Sequence, residues 1–217
     1  MKILAIDTST DYLSLAISDG EKTIARYHRR THRNHSRLII PTISGLIKKA
    51  RLKIHDIDVF AVSIGPGSFT GLRIGVVTVK ALAYALGKPI VTVPTLDVIA
   101  QNAKSFRGLI CPVIDARKSK VYGCLYRSDG KSVKKISKYL LLPAEELLKM
   151  TASYDKVLFL GDGVGLVGGE EKVKSWYPKA GTVAGLALDR IKKKKFTSPE
   201  DLEPMYLYSR ECDIKGI

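Results

Sequence analysis

The 217-residue sequence predicts an α/β protein of two similar lobes, each a mixed sheet flanked by helices. Three observations carry that expectation. Short alternating apolar runs separated by tight turns open the chain, as hairpin strands do. Apolar segments of helical period then alternate with strand-like runs, the order of a sheet covered by helices. Finally, a strand that ends in aspartate and leads into a hairpin occurs twice, once ending at Asp7 and once at Asp115. Such self-similarity points to two related units.

Taken in order, strands are expected over residues 2–6, 12–18 and 22–28, with Asp19-Gly20 as one of the short turns. A helix over 35–51 follows from Ile39, Ile43, Leu46, Ile47 and Ala50 on one face; Asn34 or Ser36 can cap it, and Pro41 predicts a bend. Next come a strand over 59–64, a glycine-rich turn, a helix over 70–86, a strand over 89–93 and a helix from Thr95. Three hairpin strands followed by helix, strand, helix and strand is the order of a ribonuclease H-like lobe. The second half repeats the plan with strands over 109–114, 121–126 and 132–142, then a helix over 144–150. A strand over 156–160 leads into Gly161-Asp162-Gly163, and a last helix covers 183–194. The boundary is expected near 104–108, which gives lobes 1–105 and 106–217.

Hydrophobic residues make up 45% of the chain and charged residues 26%, the balance of a soluble globular protein. No run of eighteen apolar residues stands in it, and residues 1–7 turn polar too soon for a signal peptide, so no membrane role is expected. Cys111, Cys124 and Cys212 are odd in number and lack metal-ligand spacing, which suggests free thiols and a cytoplasmic address. The formal net charge is +15, unevenly spread. From Lys22 to His55 there are ten Lys or Arg and no Asp or Glu. Arg29, Arg30 and Arg33 in that stretch are candidates for phosphate groups or an acidic partner, against the alternative of a solvated face. Lys192 to Lys195 read as a helix end whose dipole favours cations.

The most informative motif is Gly65-Pro66-Gly67-Ser68-Phe69-Thr70-Gly71-Leu72-Arg73-Ile74-Gly75, a turn between a strand and an apolar helix. Ser68 or Thr70 can cap that helix. A strand, a glycine turn and a helix start can cradle an anion, but the spacing fits neither the P-loop nor the dinucleotide fingerprint. A packing turn is the favoured reading. Gly71 and Gly75 each cost roughly 1 kcal/mol inside a helix relative to alanine. Close approach of another backbone would offset that, either within the lobe or from another subunit. His28 and His32 stand four apart, but five arginines within residues 26–37 oppose a metal ion there.

These residues together resemble the TsaB (YeaZ) family, a branch of the actin-like, sugar-kinase and heat-shock ATPase superfamily. The resemblance rests on Ile3-Leu4-Ala5-Ile6-Asp7-Thr8-Ser9, His35-Ser36 with Leu38 and Pro41, the whole Gly65 to Gly75 run, and Lys80-Ala81-Leu82-Ala83. Weaker matches continue through Val113-Ile114-Asp115-Ala116-Arg117, Val121-Tyr122, Gly161-Asp162-Gly163 and Pro204-Met205-Tyr206-Leu207. Where the family ends near a Tyr-Leu-Arg triplet, this chain reads Tyr206-Leu207-Tyr208-Ser209-Arg210.

The resemblance implies a non-catalytic subunit with no catalytic or metal-binding residue of its own. It would bind TsaD and, with TsaE, support threonylcarbamoylation of the tRNA adenosine beside the anticodon. It implies a homodimer when the chain is alone and contact with tRNA only through the complex. TsaD-like enzymes hold a metal with two histidines after the second helix, and the matching stretch Val93-Pro94-Thr95-Leu96-Asp97-Val98-Ile99 has none. Superfamily ATPases hold phosphates on glycine-containing loops after each lobe's first strand, but Asp7-Thr8-Ser9-Thr10 and Asp115-Ala116-Arg117-Lys118 contain no glycine. Asp7, Thr8 and Ser9 are therefore kept as a nucleotide vicinity, with no cofactor expected on the chain alone and a nucleotide only at a partner interface. The interface expected from both helices comprises His35, Ser36, Leu38, Ile39, Ile40 and Ile43 on the first, and Gly71, Leu72, Gly75, Val76 and Val79 on the second. The alternative is an actin-like ATPase or a metallopeptidase-like enzyme.

Overall fold

The computed structural model describes residues 1–32, 34–168 and 176–207. In chain order the elements are β1 Lys2–Asp7, β2 Tyr12–Asp19, β3 Lys22–Arg30, α1 His35–Lys49, β4 Val59–Ser63, α2 Phe69–Leu86, β5 Ile90–Val93 and α3 Thr95–Gln101. They continue with β6 Arg107–Asp115, β7 Lys120–Gly123, β8 Tyr126–Asp129, β9 Val133–Lys135, β10 Leu140–Pro143, α4 Ala144–Thr151, β11 Val157–Leu160 and α5 Ala180–Lys192.

The first compact unit joins Met1–Val98 to Tyr177–Pro204. Its five-stranded sheet runs β3-β2-β1-β4-β5. The hairpin strands pair antiparallel, with Ala5 opposite Ala16, while β1, β4 and β5 are parallel, with Ala5 beside Ala61. A strand covered on both faces needs apolar side chains in both directions, and Val59-Phe60-Ala61-Val62-Ser63 is buried at every position. Leu4, Ile6, Leu15, Phe60 and Val62 meet α1 and α2 through Ile39, Ile43, Val76 and Val79. Ile3, Ala5, Ala16, Ala61 and Val93 face the other way, onto Val183, Ala184 and Ala187 of α5. Lys179, which precedes α5, makes no side-chain cap; instead the Ser14 hydroxyl of β2 accepts from the Ala180 N–H at 2.9 Å.

This corrects the expected boundary. The sequence placed everything after residue 105 in a second lobe, yet 177–204 belongs to the first unit. The reason lies in the sheet: Ile3, Ala5 and Val59 point away from α1 and α2 and need a second apolar cover.

The second unit comprises Ile99–Trp176 with the chain from Met205. Nine-residue β6 anchors its sheet, ordered β10-β7-β6-β8-β9, with β11 parallel to β6. The single strand expected over 121–126 is two, because β7 pairs with the far half of β6 (Val113 opposite Gly123) and β8 with its near half (Ile110 opposite Tyr126). The run over 132–142 divides likewise into β9 on β8 and β10 on β7. Leu109, Cys111, Val113, Val121 and Leu147 form this core. Cys111 and Cys124 are buried and form no disulfide among the described residues, and burial raises the Cys111 pKa well above its ordinary value; Cys212 lies outside the described residues.

Asn34 stands at the α1 N-cap without a side-chain hydrogen bond, and α1 continues through exposed Pro41. At α2, Ser68 rather than Thr70 caps, accepting from the Gly71 N–H at 3.2 Å. Among the described residues α2 alone is long and apolar enough to cross a membrane by length and composition, yet it carries Arg73 and Lys80 and lays Leu72, Val76, Val79 and Ala83 inward.

Candidate functional site

The glycine run closes on the turn after β1. Asp7, Thr8 and Ser9 are all buried. The Thr8 hydroxyl donates to the Gly71 carbonyl at 2.7 Å, and the Ser68 N–H donates to the Ser9 carbonyl at 2.8 Å. A Cβ at Gly67 would strike the Ser9 carbonyl oxygen, one at Gly71 the Thr8 carbonyl oxygen, and one at Gly75 the Thr8 hydroxyl. Gly71 and Gly75 therefore serve the lobe's own packing, and the reading that offered them to another subunit is corrected.

Within the turn, the N–H and hydroxyl of Ser9 donate to Asp7 Oδ1 at 3.1 and 2.9 Å. Asp7 Oδ2 and Ser63 Oγ, both buried, have no partner at hydrogen-bonding distance. Burial pushes the Asp7 carboxyl up to about 6, and the hydrogen bonds from the Ser9 N–H and hydroxyl hold it from rising further.

His35, expected at an interface, is buried. Its Nε2 donates to the Thr10 carbonyl at 2.7 Å, and its Nδ1 lies 2.6 Å from the Thr31 hydroxyl. It fastens the start of α1 to the turns on either side. Ile39, Ile43, Leu72, Val76 and Val79 are buried too, facing the sheet. Of the expected interface set, Ser36 and Ile40 are exposed and Leu38 is half-buried.

The outward face carries a different set. Ile40 is 55% exposed on α1; on α2 Phe69 is 54%, Val77 62% and Tyr84 76% exposed. The Arg73 guanidinium lies 3.8 Å above the Phe69 ring. Positions 69, 73, 77 and 84 share one side of α2, one residue offset from the inward 72, 76, 79 and 83. Sequence reasoning found the apolar surplus of α1 but missed that of α2, although the same periodicity held it. Neither helix has an acidic residue.

Arg29 and Arg30 are exposed on the edge strand β3, and Arg30 is ion-paired with Asp11 at 3.1 Å; Arg33 lies outside the described residues. His28 sits on β3 with its ring stacked on Tyr12 at 4.7 Å, and burial, then the Lys179 charge, lowers its pKa. His32 occupies a turn, so the helical spacing that suggested a pair does not describe them.

In the second unit Asp115 donates its N–H to Asp162 Oδ1 at 3.0 Å, and its own carboxylate accepts the Arg117 N–H at 2.7 Å and guanidinium at 3.3 Å. Burial raises the Asp162 pKa, and the Asp115 charge adds to it. A Cβ at Gly161 would strike the Val113 carbonyl oxygen, and one at Gly163 the Val113 side chain. These glycines thus clamp their loop to the end of β6. Arg117, Lys118 and Ser119 are all left-handed, at φ 68°, 52° and 57°.

With this geometry in place, three comparisons bear on kinship. The profile of the family described as "TsaD: tRNA N6-adenosine threonylcarbamoyltransferase" matches residues 23–166. The tRNA threonylcarbamoyladenosine biosynthesis protein TsaB of Bacillus subtilis is 33% identical over 100% of this chain and 98% of its own. The solved structure of YeaZ from Pseudomonas aeruginosa is 25% identical, with a TM-score of 0.82 over 95% of this chain and 99% of that one. A dehydratase activator from Clostridium difficile, solved with bound ADPNP, is 11% identical at a TM-score of 0.52 and shares the actin-like fold alone. The chain belongs to the TsaB (YeaZ) family, on the actin-like fold that its sequence predicts.

Proposed function

We propose that the chain is a non-catalytic subunit in tRNA threonylcarbamoyladenosine biosynthesis, which docks a TsaD-type catalytic subunit through the outward face of α1 and α2. One observation carries this reading: Ile40, Phe69 and Val77 stand exposed on two helices that cover the same face of one sheet and bear no carboxylate. Exposed apolar side chains rimmed by one sign of charge suit a partner that is apolar at its centre and acidic at its rim. Family membership supports the pathway, as does the name of the Bacillus subtilis relative. When the chain is alone a second copy covers the same face, so homodimer and heterodimer compete. A TsaE-type ATPase joins the complex, and the address is cytoplasmic. The glycine-free turns that follow Asp7 and Asp115 support a chain that holds no nucleotide by itself; a nucleotide binds only where a partner completes the site.

The test mixes the chain with the TsaD-type protein of the same cell, without RNA, and follows sedimentation. A heterodimer that replaces the homodimer is expected. Failure of wild-type protein to associate in either way would overturn the docking role. A separate assay with ATP, Mg²⁺, threonylcarbamoyl-adenylate and tRNA should find no turnover by the isolated chain. Turnover equal to that of the reconstituted complex would favour the ATPase or transferase alternative.

A further inference from the structure

Away from Ile40, Phe69 and Val77, an open groove of about 570 Å³ lies where the C-terminal end of α2 meets the segment after α5. That size falls within the range of about 300–1,000 Å³ typical of small-ligand clefts. Two aromatic rings line it, Tyr84 at 76% exposure and Phe196 at 47%, together with Lys88. Lys192 to Lys195, all exposed, immediately precede Phe196. Between Asp189 and Glu200, and again between Asp58 and Asp97, the sequence holds no carboxylate. The groove wall is tied down: the Thr197 N–H donates to the Ile90 carbonyl at 2.9 Å, and the Ser198 hydroxyl donates to Asp201 at 2.8 Å. That bond engages Asp201, one of the three carboxylates over residues 200–203. A helix-end dipole accounts for cations at 192–195, but not for two exposed rings beside them.

We propose that this groove binds single-stranded RNA, with bases stacking on Tyr84 and Phe196 and the phosphate backbone following Lys88 and the 192–195 lysines. Rings that any base can cover, combined with lysines along the track of a polyanion, are the two ingredients of sequence-tolerant single-strand binding. An acidic peptide would satisfy the lysines and leave the rings wet. The choice of RNA rests on the pathway proposed above. Tyr84 and Phe196 lie far apart in sequence, so no motif joins them and only the fold brings them to one groove.

The full-length chain, without partners, is titrated with a fluorescein-labelled 12-nucleotide unstructured RNA. The same titration uses an abasic strand of equal length and a polyglutamate peptide. Wild type should prefer the RNA to both controls. Phe196→Ala, and separately Tyr84→Ala, should weaken RNA binding roughly 5- to 150-fold, as expected for one lost base–aromatic stack, and leave abasic-strand binding unchanged. Lys88→Gln should weaken RNA and abasic strand alike and reduce the log–log salt slope by about 0.7, one phosphate on a single strand. Both rings are exposed, so the truncations spare the core, and circular dichroism checks that. RNA affinity indifferent to Phe196→Ala and Tyr84→Ala would overturn the proposal. So would abasic strand or polyglutamate binding as tightly as RNA. Because docking is read without RNA and RNA binding without partner, failure of one is distinguishable from failure of the other.

Discussion

Asp7 shows what one buried group does to this lobe. An aspartate at a strand end is plain in the sequence; that both its oxygens are enclosed, with Oδ2 and Ser63 Oγ unpartnered, is set by α2 closing over it and only the fold reveals it. Its carboxyl is raised from 3.8 to about 6. Well below pH 3.8 the acid is neutral folded or unfolded, and Asp7 contributes nothing to pH dependence. As pH rises from about 4 to 6 the unfolded chain ionises first, so stability falls; above 6 the loss is constant. Two pKa units correspond to about 3 kcal/mol. Asp7→Asn keeps an oxygen for the Ser9 donors and removes the buried charge. Urea titration at pH 7 should find the variant about 1–3 kcal/mol more stable, an advantage that vanishes at about pH 3. Equal stability at both pH values would contradict the burial argument. Gly71→Ala probes the same turn from above: its Cβ meets a backbone carbonyl that cannot rotate away. A loss of about 2–3 kcal/mol is expected despite the better helix former, whereas alanine on an open helix face would add up to roughly 1 kcal/mol.

At the scale of the element, α2 explains why the site was only half legible. Its sequence is apolar on both sides, so periodicity alone could not say which side is the core. Sequence reasoning assigned Leu72, Val76 and Val79 outward, and they face the sheet; the helix direction is decided by Gly71 and Gly75, which admit the β1 turn on one side only. The same logic was correct for Ile40, whose neighbours Ile39 and Ile43 fill the core and leave it out at 55% exposure. Exposed Val77 therefore separates docking from folding. Val77→Glu should leave the urea midpoint within about 0.5 kcal/mol of wild type. Loss of a central apolar anchor and burial of an unpaired charge should weaken self-association and TsaD-type binding by about 2 kcal/mol or more, some 30-fold. Sedimentation at several concentrations reads both. A folded variant that associates normally would move the interface elsewhere.

For the whole molecule, the repeated plan of two sheets was legible because it is local: hairpins, turns and helix periods recur in both halves. The return of 177–204 to the first unit was not, because a helix with one apolar stripe, here Val183, Ala184 and Ala187, carries no mark of which sheet it covers. That return has a testable cost. A fragment ending at residue 105 retains all five strands, α1 and α2, yet uncovers Ile3, Ala5, Ala16, Val59, Ala61, Val91 and Val93. Partial exposure of seven apolar side chains, at about 1.5–3 kcal/mol for each one of the larger fully exposed, removes several kcal/mol. A domain of this size has only about 5–15 kcal/mol to lose. Fragment 1–105 should therefore give poorly dispersed amide spectra and no cooperative urea transition. Joining 1–98 to 177–204 through a flexible glycine-serine linker restores α5 and the Ser14 cap to Ala180, and it should restore cooperative unfolding. If 1–105 folded cooperatively by itself, α5 would be an accessory rather than the second wall of the lobe. If the linked fragment stayed unfolded, the first unit would depend on the second for its stability, and the division at Val98 would not mark an independent folding unit.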